Sequence, residues 1–455
     1  MKQLLLFITL IVTLHVNAQC WEEVSTGYYH FVAVKTDGTL WAWGSNEFGQ
    51  LGNGSGINST EPIQVNADTN WVHAQAGVGH TVAIKADGTM WAWGSNEAGQ
   101  IGAASNSSII PLPLQVGTDA DWNMVSCAGY TTMAIKNNGT LWAWGSNSFG
   151  QLGDNTFINR NAPLQIGTAT NWKVVASSLY HNSAIKTNGT LWTWGNNVNG
   201  QLGNMFFNTS FYVPTQMGVE TDWYITAAGP ENTVALKNDG TLWAWGWNGD
   251  GQLGNGNTIS LPVATPIGTD TNWQTVSSGL WVMLAIKSDG TLWGAGNNNN
   301  GQLGNGSQTS VIGLDRITSD ADWAAISTNG YSTAAIKTDG TLYTWGWNEG
   351  QILGNGITDN YVLTPAQVAC PTANIKPIRC SSITVYPNPA KTIITIANTF
   401  GETINSIIVT NVCGKTVIQQ DTASNLIDVE QLPSGMYFLK VTTGTGQQIL
   451  KITKN

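Results

Sequence analysis

His80-Thr-Val-Ala-Ile-Lys-Ala-Asp-Gly-Thr-Met-Trp-Ala-Trp-Gly94 is the stretch that decides the fold. Its first six residues and its last five read as two strands with β-branched and aromatic residues in alternation. Asp87-Gly88 between them reads as a two-residue hairpin turn, because type I′ geometry needs positive φ at both central positions. The passage recurs seven times. Trp-Ala-Trp-Gly or a near variant begins at Trp41, Trp91, Trp142, Trp192, Trp243, Trp293 and Tyr343. A further tryptophan opens each unit, at Trp21, Trp71, Trp122, Trp172, Trp223, Trp273 and Trp323. Both series advance by 50 or 51 residues, the period of a propeller or a stack of small sheets.

In the second unit the spacing predicts a strand over Trp71–Ala76, then His80–Lys85, then Met90–Gly94. A Gly-rich loop of about 15 residues should follow, and Pro113–Val116 should form a short fourth strand. Four antiparallel strands with one apolar face make a blade, so the expected fold is all-β: a seven-bladed propeller over 21–368. The first unit lacks a preceding Pro-x-Gln-Val strand and the last ends with one, Pro365–Val368. The economical expectation is that Pro365–Val368 completes the blade that holds Trp41 and Trp43, closing the ring. Nineteen of the 22 tryptophans fall at three repeated positions. Each buried indole removes about 200 Å² from water, roughly 5 kcal/mol gross, so these residues read as core.

The ends differ from the body. An apolar stretch from Leu4 to Leu14 before Val16-Asn17-Ala18 reads as a signal peptide over 1–18, too short to span a membrane. Gln19 is a poor fit to lipid attachment at Cys20. Residues 21–368 carry 10 basic and 24 acidic side chains, and residues 369–455 carry 7 and 4. An acidic body argues against nucleic acid, and the charge break marks a linker at 369–381 before a second domain at 382–455. Five cysteines are too few for a disulfide framework. Cys127 reads as an inert core thiol, and Cys370 and Cys380 could pair in an oxidising compartment. No metal or cofactor motif is present.

The repeat wording, with its Gly-Gln-Leu-Gly loop, resembles that of the regulator of chromosome condensation family. The resemblance covers 21–368 and implies a seven-bladed propeller. The family's namesake is a guanine-nucleotide exchange factor for a small GTPase that docks on chromatin; secreted bacterial propellers of the same repeat include β-lactamase inhibitors that bind proteins through one face. The C-terminal motifs Val385-Tyr386-Pro387-Asn388-Pro389-Ala390, Gly414-Lys415, Leu432-Pro-Ser-Gly435-Met-Tyr437 and Lys451–Lys454 resemble the type A sorting domain of type IX secretion. That resemblance implies export across the outer membrane. Alternating runs at Thr392–Ala397, Ile404–Thr410 and Met436–Thr442 independently predict a small β-sandwich.

Strand direction sorts the loops onto two faces. The turn face bears the Asp-Gly hairpins, seven lysines at one repeat position (Lys35 to Lys337) and the turns at Asp68, Asp119, Asp270 and Asp320. The lysines read as solubilising strand ends with loose acidic partners; the Asp turns lack the ligand spacing of a calcium loop. The loop face gathers aromatic residues that break the repeat. Trp247 and Trp347 replace Ser or Asn, and Trp281 takes a position held elsewhere by Tyr29, Gly79, Tyr130, Tyr180, Glu231 and Tyr331. The fourth long loop adds Phe206, Phe207, Phe211 and Tyr212. These residues either form a protein- or glycan-binding surface or plug the pore mouth. His30, His80 and His181 share one repeat position and read as structural hydrogen-bonders. No nucleophile elbow and no marked carboxylate pair point to an enzyme. The expected function is non-enzymatic binding at the cell surface or outside the cell; the alternative is exchange-factor activity by family analogy.

Overall fold

The computed structural model describes residues 20–371, 383–398, 404–411, 415–420, 425–443 and 446–455. The leader at 1–18, most of the linker, Cys380 and Gly414 lie outside the described residues. Strands account for the regular structure, with a single 3-10 turn at Glu349–Gln351 among the described residues. The chain divides into two units, Met1–Thr372 and Ala373–Asn455.

In the first unit seven four-stranded antiparallel sheets follow one another, each built from one contiguous repeat. In the second sheet the strands are Trp71–Ala76, His80–Lys85, Met90–Ser95 and Ile109–Gln115. The last begins earlier than the Pro113 start that the sequence indicates. The Trp-initiated strands are innermost: Trp21–Thr26 lies against both Trp71–Ala76 and Trp323–Thr328. The inner-strand indole touches both indoles of its own Trp-Ala-Trp, as with Trp122 at 5.9 Å from Trp142 and from Trp144. The two latter indoles differ in environment. Trp43, Trp93, Trp144, Trp194, Trp245 and Trp345 are fully buried, whereas Trp91, Trp142, Trp192, Trp243 and Trp293 are half-buried.

The half-buried ring is covered by the repeat lysine. Lys85 Nζ lies 4.7 Å from the Trp71 ring centre and 4.4 Å from that of Trp91, and the motif recurs through Lys337. The ammonium group is held by the preceding turn: Lys85–Asp68 and Lys136–Asp119 at 2.7 Å, Lys287–Asp270 and Lys337–Asp320 at 2.8 Å. These lysines are therefore not solvated strand ends, and the Asp turns hold ammonium groups. Stacking on an indole face offsets the loss of water around the charge.

Blades are joined by one backbone carbonyl. Gln50 O accepts a bond from Trp93 Nε1 at 2.9 Å and from Thr81 Oγ1 at 2.8 Å, both in the next blade. Gln100, Gln201 and Gln302 repeat this arrangement, and Gln151 does so with Asn182 and Trp194. The glycine two residues on must lack a side chain: a Cβ on Gly102 would lie 2.5 Å from Trp144 Nε1. On the turn face each hairpin glycine carbonyl accepts the next inner Trp N–H, and Trp21 N to Gly340 O at 3.1 Å completes the cycle.

Closure of the ring differs from the expectation. Tyr361–Val368 pairs with Leu342–Trp347 inside the seventh sheet, and the first sheet draws its outer strand, Ser59–Gln64, from its own repeat. Among the described residues no strand is exchanged between the first and seventh sheets. Cys370 pairs with Cys20, not with Cys380, and so ties the start of the first blade to the end of the seventh. Lys35 Nζ adds a 2.9 Å bond to Pro371 O. At this seam the carbonyl joint is missing. Phe31 replaces the Thr and stacks on Trp43, Ile352 is an extra residue in the seventh Gly-Gln-Leu-Gly loop, and Trp43 Nε1 has no partner among the described residues.

The second unit has a three-stranded sheet, Ile383–Tyr386, Ile393–Asn398 and Leu426–Asp428, and a four-stranded one of Thr416–Gln420, Ile404–Asn411, Gly435–Thr443 and Gly446–Lys454. Ile394, Ile396, Ile407, Val409, Leu439, Val441 and Ile452 form its core. The Pro387-Asn388-Pro389 motif is bound to the C-terminal strand: Asn388 donates to Lys451 O and accepts from Thr453 N. Tyr386 is exposed, while Tyr437 is buried with its hydroxyl on Pro433 O.

Because the first–seventh seam lacks the carbonyl joint, the Cys20–Cys370 bond should carry it. Cys20→Ser should lower propeller stability by about 2–5 kcal/mol, read as a shifted denaturant midpoint. Dithiothreitol should lower the native protein's midpoint and leave the variant's unchanged.

Candidate functional site

The ring around the loop-face mouth is made by one residue per blade, the one before each second strand: Tyr29, Gly79, Tyr130, Tyr180, Glu231, Trp281 and Tyr331. Its carbonyl accepts the N–H of the residue after Trp-Ala-Trp-Gly, as in Ser45 N to Tyr29 O at 2.7 Å, Asn297 N to Trp281 O at 2.8 Å and Trp347 N to Tyr331 O at 2.9 Å. The glycine of that tetrapeptide has φ of 102° at Gly44, and a Cβ there would lie 2.5 Å from Tyr29 O. Backbone at the ring is thus locked in every blade, while its side chains are free to vary.

Four of the predicted residues form one cluster. Trp281 lies 5.8 Å from Tyr331, Tyr331 6.2 Å from Trp347, and Trp347 5.7 Å from Tyr29. The cluster runs across the sixth, seventh and first blades, and its rings are half-buried or exposed. Trp247 does not join it. Its indole folds over its own loop, where a Cβ on Gly249 would lie 2.3 Å from it. Tyr180 pairs with Phe149 at 4.9 Å and Tyr212 with Phe157 at 4.8 Å, while Tyr130 is exposed. Phe206 and Phe207 are exposed in the fourth long loop, but Phe211 packs on the core between the third and fourth blades.

Sequence reasoning missed Tyr28, which lies 5.9 Å from Tyr331 and 6.2 Å from Tyr29. It also missed the exposed Phe48, Phe149 and Phe157. The signal for Phe48 and Phe149 was present: both stand where Ala98, Asn199 and Asp250 stand in other repeats. Tyr28 lines the mouth of the central cavity, and its hydroxyl is buried with no partner among the described residues. Burial, with Tyr331 and other phenols nearby, pushes its ionisation up. Glu231 is raised by burial and by the Asp250 carboxylate.

The cavity inside the inner strands is about 570 Å³ and is lined by all seven blades. On one wall Glu23 meets His73 at 2.6 Å, and His73 also bonds Val125 O. Burial opposes the His73 charge, but the Glu23 carboxylate outweighs it and the pKa is raised. His30, His80 and His181 are elsewhere, between blades. Their Nε2 atoms lie 2.9, 3.2 and 2.7 Å from Thr81, Thr132 and Thr233 of the next blade. Each of those hydroxyls donates to the Gln carbonyl, so it accepts from imidazole, which fixes the Nε2–H tautomer. Burial lowers each of the three pKa values to about 3. No group of three or more metal-ligating side chains converges among the described residues.

Residues 110–385 match the RCC1-like domain, and 37–84, 21–50 and 71–100 match models of the regulator of chromosome condensation (RCC1) repeat. The chain belongs to the RCC1-like propeller family. Solved structures that resemble it include the following two. Prp20p from Saccharomyces cerevisiae is 18% identical with a TM-score of 0.67, covering 75% of this chain and 88% of that one. Human WBSCR16 is 21% identical with a TM-score of 0.62, covering 68% and 84%. At such identities the likeness shows the fold alone. The ultraviolet-B receptor UVR8 of Arabidopsis thaliana is 28% identical over 139 residues, 30% of this chain, and the match spans only 20% of the receptor. Residues 384–455 match the secretion system C-terminal sorting domain, which points to export and a surface or extracellular location. No described helix is long and apolar enough to cross a membrane.

The inter-blade histidines give this RCC1-like propeller a defined acid response. Each is neutral when folded and takes up a proton near pH 6.5 when unfolded, so the unfolded state binds more protons below that pH. Stability should be complete above about pH 6.5 and fall as pH drops toward about 3. The loss should be about 2 kcal/mol per histidine at pH 5. A triple His→Asn variant, copying Asn232 of the fifth repeat, should show a flatter Tm-versus-pH curve from 6.5 to 4.

Proposed function

We propose that this chain is a secreted or cell-surface recognition propeller without enzymatic activity. It binds a protein or glycan partner through the aromatic ring of its loop face. A signal peptide at 1–18 starts its export, the propeller at 21–368 does the binding, and the domain at 382–455 engages the type IX secretion machinery. The observation that carries this reading is the contiguous cluster of Tyr28, Tyr29, Trp347, Tyr331 and Trp281, aromatic side chains that the repeated core does not use. Aromatic residues give large contact areas at low rotamer cost, which is why they dominate binding hot spots. Exchange on a GTPase, the alternative from the family's namesake, is work inside the cell, whereas the sorting domain points outward.

The test is capture of surface and culture-medium partners on the full chain. Trp281→Ala should cost about 2 kcal/mol or more in partner affinity with little change in Tm, because the indole is half-exposed. Trp144→Ala should instead cost about 3–5 kcal/mol of stability, because that indole is fully buried and bonds Gln100 O. A chain found only in the cytoplasm, or capture indifferent to Trp281, would sink the reading.

A further inference from the structure

Basic side chains are divided unevenly between the two propeller faces. On the turn face, Lys85, Lys136, Lys237, Lys287 and Lys337 each pair with an aspartate within 3.2 Å. The loops of the opposite face carry Glu47, Glu97, Glu231, Asp250, Glu349 and Asp359. None of these six carboxylates has a basic partner among the described residues. The single cation there is Arg160, at the start of its strand, and Asp154 already holds it at 2.7 Å. Two of the acids sit at the aromatic ring itself. Glu231 occupies the ring position of the fifth blade, next in order to Trp281, and Asp250 is close enough to raise its pKa. Glu349 is two residues beyond Trp347 and exposed.

The geometry points to a basic polypeptide segment as the loop-face partner, with a lysine or arginine side chain seated against Trp281, Tyr331 and Trp347. This deepens the recognition reading above and rests on it. Neighbouring rings of the cluster stand at 54–89° to one another, walls of a cage and not one flat platform. Such walls suit a compact cation, which each ring face attracts; a flat sugar ring stacks best on a single open face. Asp250 accepts from Asn297 Nδ2 at 3.0 Å, but carboxylates without a basic partner beside the rings still add attraction for a cation that a neutral glycan does not feel. The same chain already stacks ammonium groups on indoles at its turn face, at 3.7 Å for Lys186 over Trp192.

The probe is a fluorescein-labelled dodecapeptide of alternating Lys and Gly, titrated against the full chain by anisotropy. The lysine-acetylated peptide, its Glu–Gly counterpart and a neutral β-linked glucose hexasaccharide serve as comparisons. The basic peptide should bind about tenfold or more tighter than its acetylated form, and weaken as ionic strength rises from about 0.05 to about 0.3 M. Trp281→Ala and the Glu231→Gln/Asp250→Asn pair should each weaken it about tenfold. Glu22→Gln, on the turn-face end of an inner strand, should not. The charge pair tests the site even if the tryptophan variant folds poorly. Equal binding by all variants would mean diffuse attraction to an acidic body and overturn the inference, as would preference for the hexasaccharide or the acidic peptide. A surface partner captured through Trp281 while the basic peptide fails to bind would overturn this inference and leave the recognition reading standing. If neither depends on Trp281, both fall.

Discussion

A carbonyl oxygen has two lone pairs, and at five of the seven blade junctions the loop Gln carbonyl gives both to the next blade. One accepts an indole N–H, the other a threonine hydroxyl or, at the fourth blade, the Asn182 amide. Both groups are buried, so each would carry a desolvation cost if left unpaired. The loop therefore has to place a backbone atom against the following blade with no side chain in the way, and glycine beside the indole follows from that need. Repetition of the tetrapeptide, the hydroxyl and the loop at one period is the sequence record of a single joint.

Two junctions lack the joint, and each is repaired differently. Between the fifth and sixth blades Met283 and Ala295 replace the hydroxyl and the indole, and Gly254 packs against both. Both donors are removed together there and an apolar contact takes their place, so no buried indole N–H or hydroxyl is left without an acceptor. Between the seventh and first blades the indole of Trp43 remains while its acceptor is displaced by the extra Ile352. That seam keeps an unpaired buried N–H, and it is the one that carries the Cys20–Cys370 bond.

Blade architecture was legible because its determinants are local and repeated: the Asp-Gly turn, alternation by two, and tryptophans at constant spacing. Ring closure was not. The absence of a Pro-x-Gln-Val strand before the first unit suggested one surplus at the end, but the first repeat supplies its own outer strand, Ser59–Gln64, which with Val65 carries the pattern in full as Pro62-Ile-Gln-Val65. The Cys20–Cys370 pairing spans 350 residues, and no spacing rule reaches that far. At the loop face, four of the aromatic residues could be placed together because repeat position fixes ring position. Trp247 shows the limit of that argument. Its backbone is where the repeat puts it, yet the adjacent Gly249 leaves room for the indole to lie back on its own loop.

The locked ring explains how such a surface can exist without weakening the fold. At each of the seven positions the carbonyl is bound by the chain that follows Trp-Ala-Trp-Gly, whether the residue is Gly79, Glu231 or Trp281. Side-chain identity there is decoupled from the joints that hold the blades. The turn face has no such freedom, because its lysines are committed to indole faces and most of them to aspartates. Substitution at the turn face therefore costs stability, and substitution at the loop ring changes mainly what the propeller presents. Five aromatic residues and one carboxylate at seven equivalent positions are more than core packing asks for, and rings beside carboxylates without a basic partner are the chemistry on which the proposed recognition rests.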